Sequence, residues 1–103
     1  MAKVLVVEEN PSVVTSILVQ LKLAGHLARA MENLQAAETL INEARVDRFD
    51  AIIYNPLLSS LDGYALLSDL KNHEETKDIP VIGYSEELDQ LSKQRFRDLG
   101  AEC

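Results

Sequence analysis

Short apolar runs alternate with amphipathic segments along the whole chain, and this alternation constrains the fold more than any other feature. The runs have the length and the β-branched content of strands, and the first reads as a strand buried on both faces. They are Lys3 to Val7, the weaker Leu27 to Met31, Phe49 to Tyr54, and Val81 to Tyr84. Short connections containing helices make such strands parallel. The pattern therefore predicts an α/β fold with a doubly wound parallel sheet.

Helical spacing fills the segments between these runs. Asn10 can cap a first helix with Pro11 at its first position, and Gly25 can end it. The apolar stripe of this helix is Val14, Ile17, Leu18 and Leu21. Asn33 can cap a second helix, whose stripe is Ala37, Leu40, Ile41 and Ala44.

Two further helices are predicted in the second half of the chain. An Asp62-Gly63 turn precedes a helix from Tyr64 to about Asn72. The last helix runs from about Glu87 to Leu99 and ends at Gly100. Its less regular stripe is Leu88, Leu91, Phe96 and Leu99.

Size and charge exclude several classes of protein. With 103 residues, the chain is long enough for one domain, residues 1–103, and too short for two. A net charge of −7 with no basic run disfavours direct binding to nucleic acid. The apolar runs are too short for a membrane span or a signal peptide. The single cysteine, Cys103, fits a reducing cytoplasm.

Polar residues follow three of the predicted strands. Ligand sites of open parallel sheets form where loops leave the carboxyl ends of the strands. The loops in question are Glu8-Glu9-Asn10, Asn55 to Asp62, and Ser85-Glu86-Glu87. Without further context, the acidic pair also reads as solvated acids at a helix start, Asn55 as a turn residue and Ser85 as a helix cap.

Four segments in this order resemble the receiver domain of bacterial two-component response regulators. KVLVVEENP, from Lys3, resembles the family's first strand and acidic pair, and Phe49 to Gly63 resembles the phosphoacceptor strand with its loop. DIPVIGYS, from Asp78, resembles the fourth strand with its terminal hydroxyl, and Leu99-Gly100-Ala101 resembles the step into the fifth strand. The resemblance implies a flavodoxin-like fold with strand order 2-1-3-4.

The resemblance also implies a role for each polar position. Glu8 and Glu9 take the positions of the acidic pair that holds Mg²⁺, and the carbonyl of Leu57 that of a further metal ligand. Asn55 takes the position of the phosphoacceptor aspartate, and Ser85 that of the hydroxyl that binds the phosphoryl group. In the family these groups position and neutralise a transferred phosphoryl group.

Asn55 departs from the family pattern, because a carboxamide is neutral and cannot form an acyl phosphate. The metal site is weakened as well. Glu8 and Glu9 are each one methylene longer than aspartate, and Mg²⁺ demands near-octahedral oxygen ligands. We therefore expect a degenerate pseudo-receiver without a cofactor, with Glu8, Glu9 and Asn55 as the weak candidates for binding Mg²⁺.

The chain stops at Cys103, before a fifth strand, and so lacks a counterpart of the family's lysine. We expect a receiver-like domain without its last strand and helix, in which the fourth strand has an open edge. A second copy, another protein, or further chain in a longer protein could cover that edge. Of the two kinds of partner, we expect a homodimer across the strand-four edge.

Three functions remain after these observations. The favoured one is a cytoplasmic, non-enzymatic receiver in a two-component phosphorelay-type system that acts by contact with a kinase or effector. The alternative is a receiver phosphorylated with Mg²⁺ at a displaced acceptor, for which Ser59, Ser60 and Asp62 are candidates. A different α/β enzyme or ligand-binding module is disfavoured, because no glycine-rich phosphate loop follows the first strand.

We expect Tyr54 and Tyr84 to direct their hydroxyls toward water.

Overall fold

Four parallel strands form the centre of the fold. The computed structural model describes residues 1–31, 42, 48–55, 62–84 and 90–101. Its strands are β1 (Lys3–Val7), β2 (Leu27–Met31), β3 (Ala51–Tyr54) and β4 (Val81–Gly83). They form one sheet in the order β2-β1-β3-β4, which confirms the predicted order.

β1 occupies an interior position in this sheet. Val4 pairs with Ala28 of β2 and Ala51 of β3, and Val7 pairs with Met31 and Tyr54. Leu5, Val6 and Val7 have no exposed surface, as predicted for a strand covered on both faces. β3 in turn lies between β1 and β4, with Tyr54 paired to Gly83.

The first helix, α1 (Pro11–Leu23), confirms the predicted cap and stripe. The side chain of Asn10 accepts a hydrogen bond from the Ser12 amide, and Pro11 occupies the first turn. Val14 is buried, and the rest of the stripe, Ile17, Leu18 and Leu21, is half-buried. By contrast, Val19 and Leu23 on the other face are exposed.

The second helix among the described residues, α2 (Gly63–Asn72), supplies most of the helical part of the core. Its predicted apolar residues Leu66, Leu67 and Leu70 are buried against Leu5, Ile52 and other members of the same cluster. The connection from α2 to β4 is anchored by the buried Thr76 hydroxyl, which donates to the carbonyl of Leu70 at 2.6 Å.

Two strands are shorter than predicted. β3 begins at Ala51, although the amide of Asp50 still donates to the carbonyl of Lys3 at 2.7 Å and its side chain accepts from the Lys3 amide at 2.7 Å. Phe49 is nevertheless buried and belongs to the core. β4 ends at Gly83, although the amide of Tyr84 still donates to the carbonyl of Tyr54 at 3.2 Å.

The last helix, α3 (Gln90–Asp98), differs from its predicted stripe. Leu91 is 84% exposed, whereas Leu99 is half-buried and packs against the core. Leu91 lies in the first turn of α3, whereas Leu99 follows its last residue, Asp98. The start predicted at Glu87 lies outside the described residues, as does the helix predicted from Asn33, except that Asn42 is helical.

None of the helices described here is long and apolar enough to cross a membrane.

Gly25 lies in the connection between α1 and β2, and its backbone conformation can be tested by substitution. Its φ is +86°, a left-handed conformation that costs a residue with a Cβ about 1–2 kcal/mol. A Cβ at this position would meet no atom within 4 Å, so the cost is purely conformational. We expect Gly25→Ala to lower the free energy of unfolding by about 1–2 kcal/mol in urea titrations. Gly25→Asn should lose less, because Asn tolerates this conformation, and equal losses would contradict the explanation.

Candidate functional site

Three residues with polar or aromatic side chains follow strands at the carboxyl edge of the sheet. The hydrogen-bond ladder continues one residue beyond each strand: the amide of Asn55 donates to Val7 and that of Tyr84 to Tyr54, both at 3.2 Å. The amide of Glu8 donates to the carbonyl of Met31 at 3.2 Å. Glu8, Asn55 and Tyr84 therefore follow the adjacent strands β1, β3 and β4 at the same level.

Glu8 carries a buried carboxylate, with only 3% of the residue exposed. One oxygen, Oε1, accepts a hydrogen bond from the backbone amide of Asn10 at 3.0 Å. The other, Oε2, accepts a hydrogen bond from the hydroxyl of Tyr84. A buried charge needs such partners, because removal from water is costly when its lone pairs are left unsatisfied.

The loop after β1 is held by a short series of side-chain contacts. Glu8 accepts from the amide of Asn10, and Asn10 Oδ1 in turn accepts from the amide and the hydroxyl of Ser12, at 3.1 and 2.9 Å. These contacts fix both the carboxylate and the first turn of α1. Glu9 lies next to this series and is half-buried.

Both tyrosines at the strand ends direct their hydroxyls into the protein, so the prediction that they point toward water was wrong. Tyr54 has no exposed surface and donates a hydrogen bond to the carbonyl of Gly63, at the start of α2. Tyr84 is half-buried and donates to Glu8. A phenol that is largely removed from water satisfies its hydroxyl with a protein acceptor.

Tyr84 is the residue of this site that sequence reasoning did not assign. Its partner lies 76 residues away in the chain, so no local motif links the two positions. The signal becomes visible only when the strand order is combined with the register. β4 then ends level with β1, so that a hydroxyl donor directly after β4 and a carboxylate directly after β1 lie at the same edge.

Asp62 has a structural role at the start of α2. Its Oδ1 accepts hydrogen bonds from the amides of Tyr64 and Ala65, at 3.0 and 3.3 Å, in the manner of a helix N-cap. Ser59, Ser60, Leu57 and Ser85, which were also considered as site residues, lie outside the described part of the chain.

The contacts of Glu8 bear on the weak magnesium site expected at Glu8, Glu9 and Asn55. Within residues 1–31, 42, 48–55, 62–84 and 90–101, no three His, Cys, Asp or Glu side chains are grouped in a way that could hold a metal ion. Both oxygens of Glu8 accept hydrogen bonds within the protein, and the neighbouring Asn55 contributes no charge. Mg²⁺ would need several oxygens in near-octahedral order at this position.

A separate groove opens at the opposite edge of the sheet. It encloses about 770 Å³ near the amino ends of β3 and β4, and its lining includes Arg48, Asp50, Glu75, Asp78 and Pro80. Of the predicted site residues that the structure describes, Glu8, Glu9, Asn55 and Asp62, none lines it. The carboxyl edge remains the place where the candidate residues come together.

Comparison with known proteins identifies relatives of this chain. Residues 4–103 match the family model of the response regulator receiver domain. The chain is 31% identical over 100 residues to the phosphate regulon transcriptional regulatory protein PhoB of Pseudomonas aeruginosa. That match covers 96% of this chain and 42% of PhoB, so the chain spans less than half the length of this curated relative.

Solved structures share the fold. Chemotaxis protein CheY4 of Vibrio cholerae superposes with a TM-score of 0.85 at 24% identity, covering 99% of this chain and 82% of that one. The signal receiver domain of a signal transduction histidine kinase from Syntrophus aciditrophicus superposes with a TM-score of 0.80 at 27% identity. It covers 98% of this chain and 74% of that one.

The ionisation of Tyr84 tests the geometry of the site. Burial, then the hydrogen bond to Glu8 and its negative charge, raise the pKa of the Tyr84 phenol well above its usual value of 10.0. The stabilisation from this shift is fully present below pH 10.0 and is lost as the pH rises toward the higher folded-state value. We expect the difference in phenolate absorbance between wild type and Tyr84→Phe to stay near zero through pH 10.0. A titration step near pH 10.0 in which the wild type gains the absorbance of one more phenolate than Tyr84→Phe would contradict the buried hydrogen bond.

Proposed function

The chain belongs to the response regulator receiver family, and from this premise we propose that it is a pseudo-receiver, which signals by protein contact without phosphorylation at Asn55. The observation that carries the proposal is the position of Asn55 directly after β3, at the same level as Glu8, which follows β1. In a receiver, this position holds the group that attacks the phosphodonor.

The chemistry of the amide supports this proposal. Acyl phosphate formation needs a carboxylate nucleophile, and the amide nitrogen of Asn55 has a delocalised lone pair. Phosphoryl transfer also needs neutralisation of the charge on the transferred group, which a metal ion supplies in this family. Glu8 is buried with both oxygens hydrogen-bonded, so metal binding here would require that its present contacts be rearranged.

Phosphorylation at a displaced acceptor with Mg²⁺ is less well supported. Asp62 is the one candidate acceptor among the described residues, and it caps α2 through two backbone amides. Asp62 would have to act as a phosphoacceptor while its Oδ1 holds this cap, which is worth about 1 kcal/mol to the helix. The proposed protein is therefore a non-enzymatic, cytoplasmic signalling module whose partner is a kinase or an effector protein.

We also propose that a second copy of the chain covers the edge of β4. In the described sheet, β4 is an end strand, and Ile82 at its middle is 37% exposed. End strands offer unpaired amides and carbonyls to another chain, and an exposed apolar side chain favours burial there. The net charge of −7 disfavours nucleic acid as the partner of this domain.

Phosphodonor treatment tests the main proposal. After incubation with acetyl phosphate and Mg²⁺, we expect intact-mass spectrometry to show no added phosphoryl group on the wild-type chain. Beryllofluoride with Mg²⁺ should leave the amide NMR spectrum unchanged. Asn55→Asp is the matched variant, since it restores the carboxylate alone, and we expect it to label slowly at best because Glu8 keeps its contacts. Labelling of the wild type, or rapid labelling of Asn55→Asp, would overturn the proposal.

Association across β4 has a separate test. Sedimentation equilibrium should show a concentration-dependent dimer for the wild type and a monomer for Ile82→Lys, because a lysine places charge on the proposed interface. Leu91→Lys is the matched control: Leu91 is 84% exposed and lies on α3 rather than on the β4 edge. A wild-type chain that stays monomeric at all concentrations would contradict the proposed pairing.

A further inference from the structure

We propose that Tyr84 closes the acidic pocket, by lying across the end of β3 and giving the carboxylate of Glu8 a hydroxyl donor where a receiver would place a divalent cation. This inference deepens the proposed function and rests on it, because it takes the carboxyl edge around Asn55 as the receiver pocket. It assigns Tyr84 a specificity-determining role: the exclusion of divalent metal ions.

The strand order places the phenol over Asn55. β3 lies between β1 and β4, and neighbouring strands are about 4.7–4.9 Å apart, so the ends of β1 and β4 are about 9–10 Å apart. The hydrogen bond from Tyr84 to Glu8 spans this gap. The side chains that form it must therefore pass across the end of the middle strand, where Asn55 follows Tyr54.

The donor set around Glu8 explains how a buried charge is tolerated at this position. Glu8 is 3% exposed, and two donors from different parts of the fold serve its two oxygens: the amide of Asn10 and the hydroxyl of Tyr84. The amide belongs to the loop that Glu8 itself begins, and cannot be removed by changing a side chain. The hydroxyl is therefore the donor whose loss would free an oxygen of Glu8 for a metal ion.

Competition between the hydroxyl and a cation follows from the same contact. Mg²⁺ binds a small number of oxygens at short distances and in fixed directions, so Glu8 must turn away from Tyr84 to become a ligand. A hydrogen bond to a charged group that is lost in this way weakens ion binding by about tenfold or more. With the hydroxyl removed, Glu8 keeps its charge and regains an open oxygen beside Asn55 and Glu9.

Mn²⁺ alone is a suitable probe, since it prefers the same oxygen ligands and broadens nearby amide resonances. The test compares wild type, Tyr84→Phe and Tyr64→Phe by NMR titration. Tyr84→Phe removes one hydroxyl and keeps the ring. Tyr64→Phe removes a hydroxyl from α2 and keeps the aromatic ring, whose centroid lies 4.1 Å from Cζ of Arg95. It therefore controls for the loss of a phenol hydroxyl.

We expect Tyr84→Phe to bind Mn²⁺ at least about tenfold more tightly than the other two, with broadening centred on the amides of Asn10 and Asn55. Equal affinity in all three chains, or broadening centred elsewhere in Tyr84→Phe, would overturn the inference. Phosphorylation of the wild type would refute the proposed function but would leave this comparison readable, so the two failures are distinguishable.

The wild-type chain provides a second measurement that does not depend on the folding of a variant. A slowly exchanging hydroxyl proton on Tyr84, with nuclear Overhauser contacts to the side chain of Asn55, is the expected result. A hydroxyl proton in fast exchange with water, or one without contacts to Asn55, would overturn the proposed position of the phenol.

Discussion

The parallel hydrogen-bond ladder around β1 is the constraint on which the rest of the molecule depends. β1 pairs along its length with β2 and over Val4 to Val7 with β3, so the carboxyl ends of these strands meet at one edge. Leu5, Val6 and Val7 are completely buried, and Glu8 follows them directly. A slip of one residue would draw Glu8 into the sheet, away from both of its donors. The register of the core thus also sets the position of the charge.

That charge explains why the carboxyl edge is tied together by side chains. Tyr84 links the end of β4 to the end of β1, and Tyr54 links the end of β3 to the start of α2. Both links use a phenol, whose ring fills apolar space while its hydroxyl satisfies a buried acceptor. The loop from Glu8 to Ser12 is closed by its own hydrogen bonds. The edge is therefore organised by contacts within the protein.

Membership of the receiver family accounts for the sheet and its helices, whereas the chemistry depends on individual residues. A neutral amide at the end of β3 and a hydroxyl bound to Glu8 both change what this edge can do. In the proposed function, each removes something that phosphoryl transfer needs: a nucleophile in the first case, an open metal ligand in the second. The two changes are consistent with each other, because a pocket without an attacking group does not need a cation. This agreement is why we propose signalling by contact.

The sequence by itself determined the alternation of strands and helices, the cap at Asn10, and the stripe of α1. These features depend on residues within one or two turns of each other, so local patterns reveal them. It also indicated that Glu8 and Asn55 would share an edge, since parallel strands end together. Only the tertiary structure decided the partner of Glu8, the exposure of Leu91, the start of β3 and the end of β4. Tyr84 and Glu8 are 76 positions apart, and their contact exists only when sheet order and register are both established.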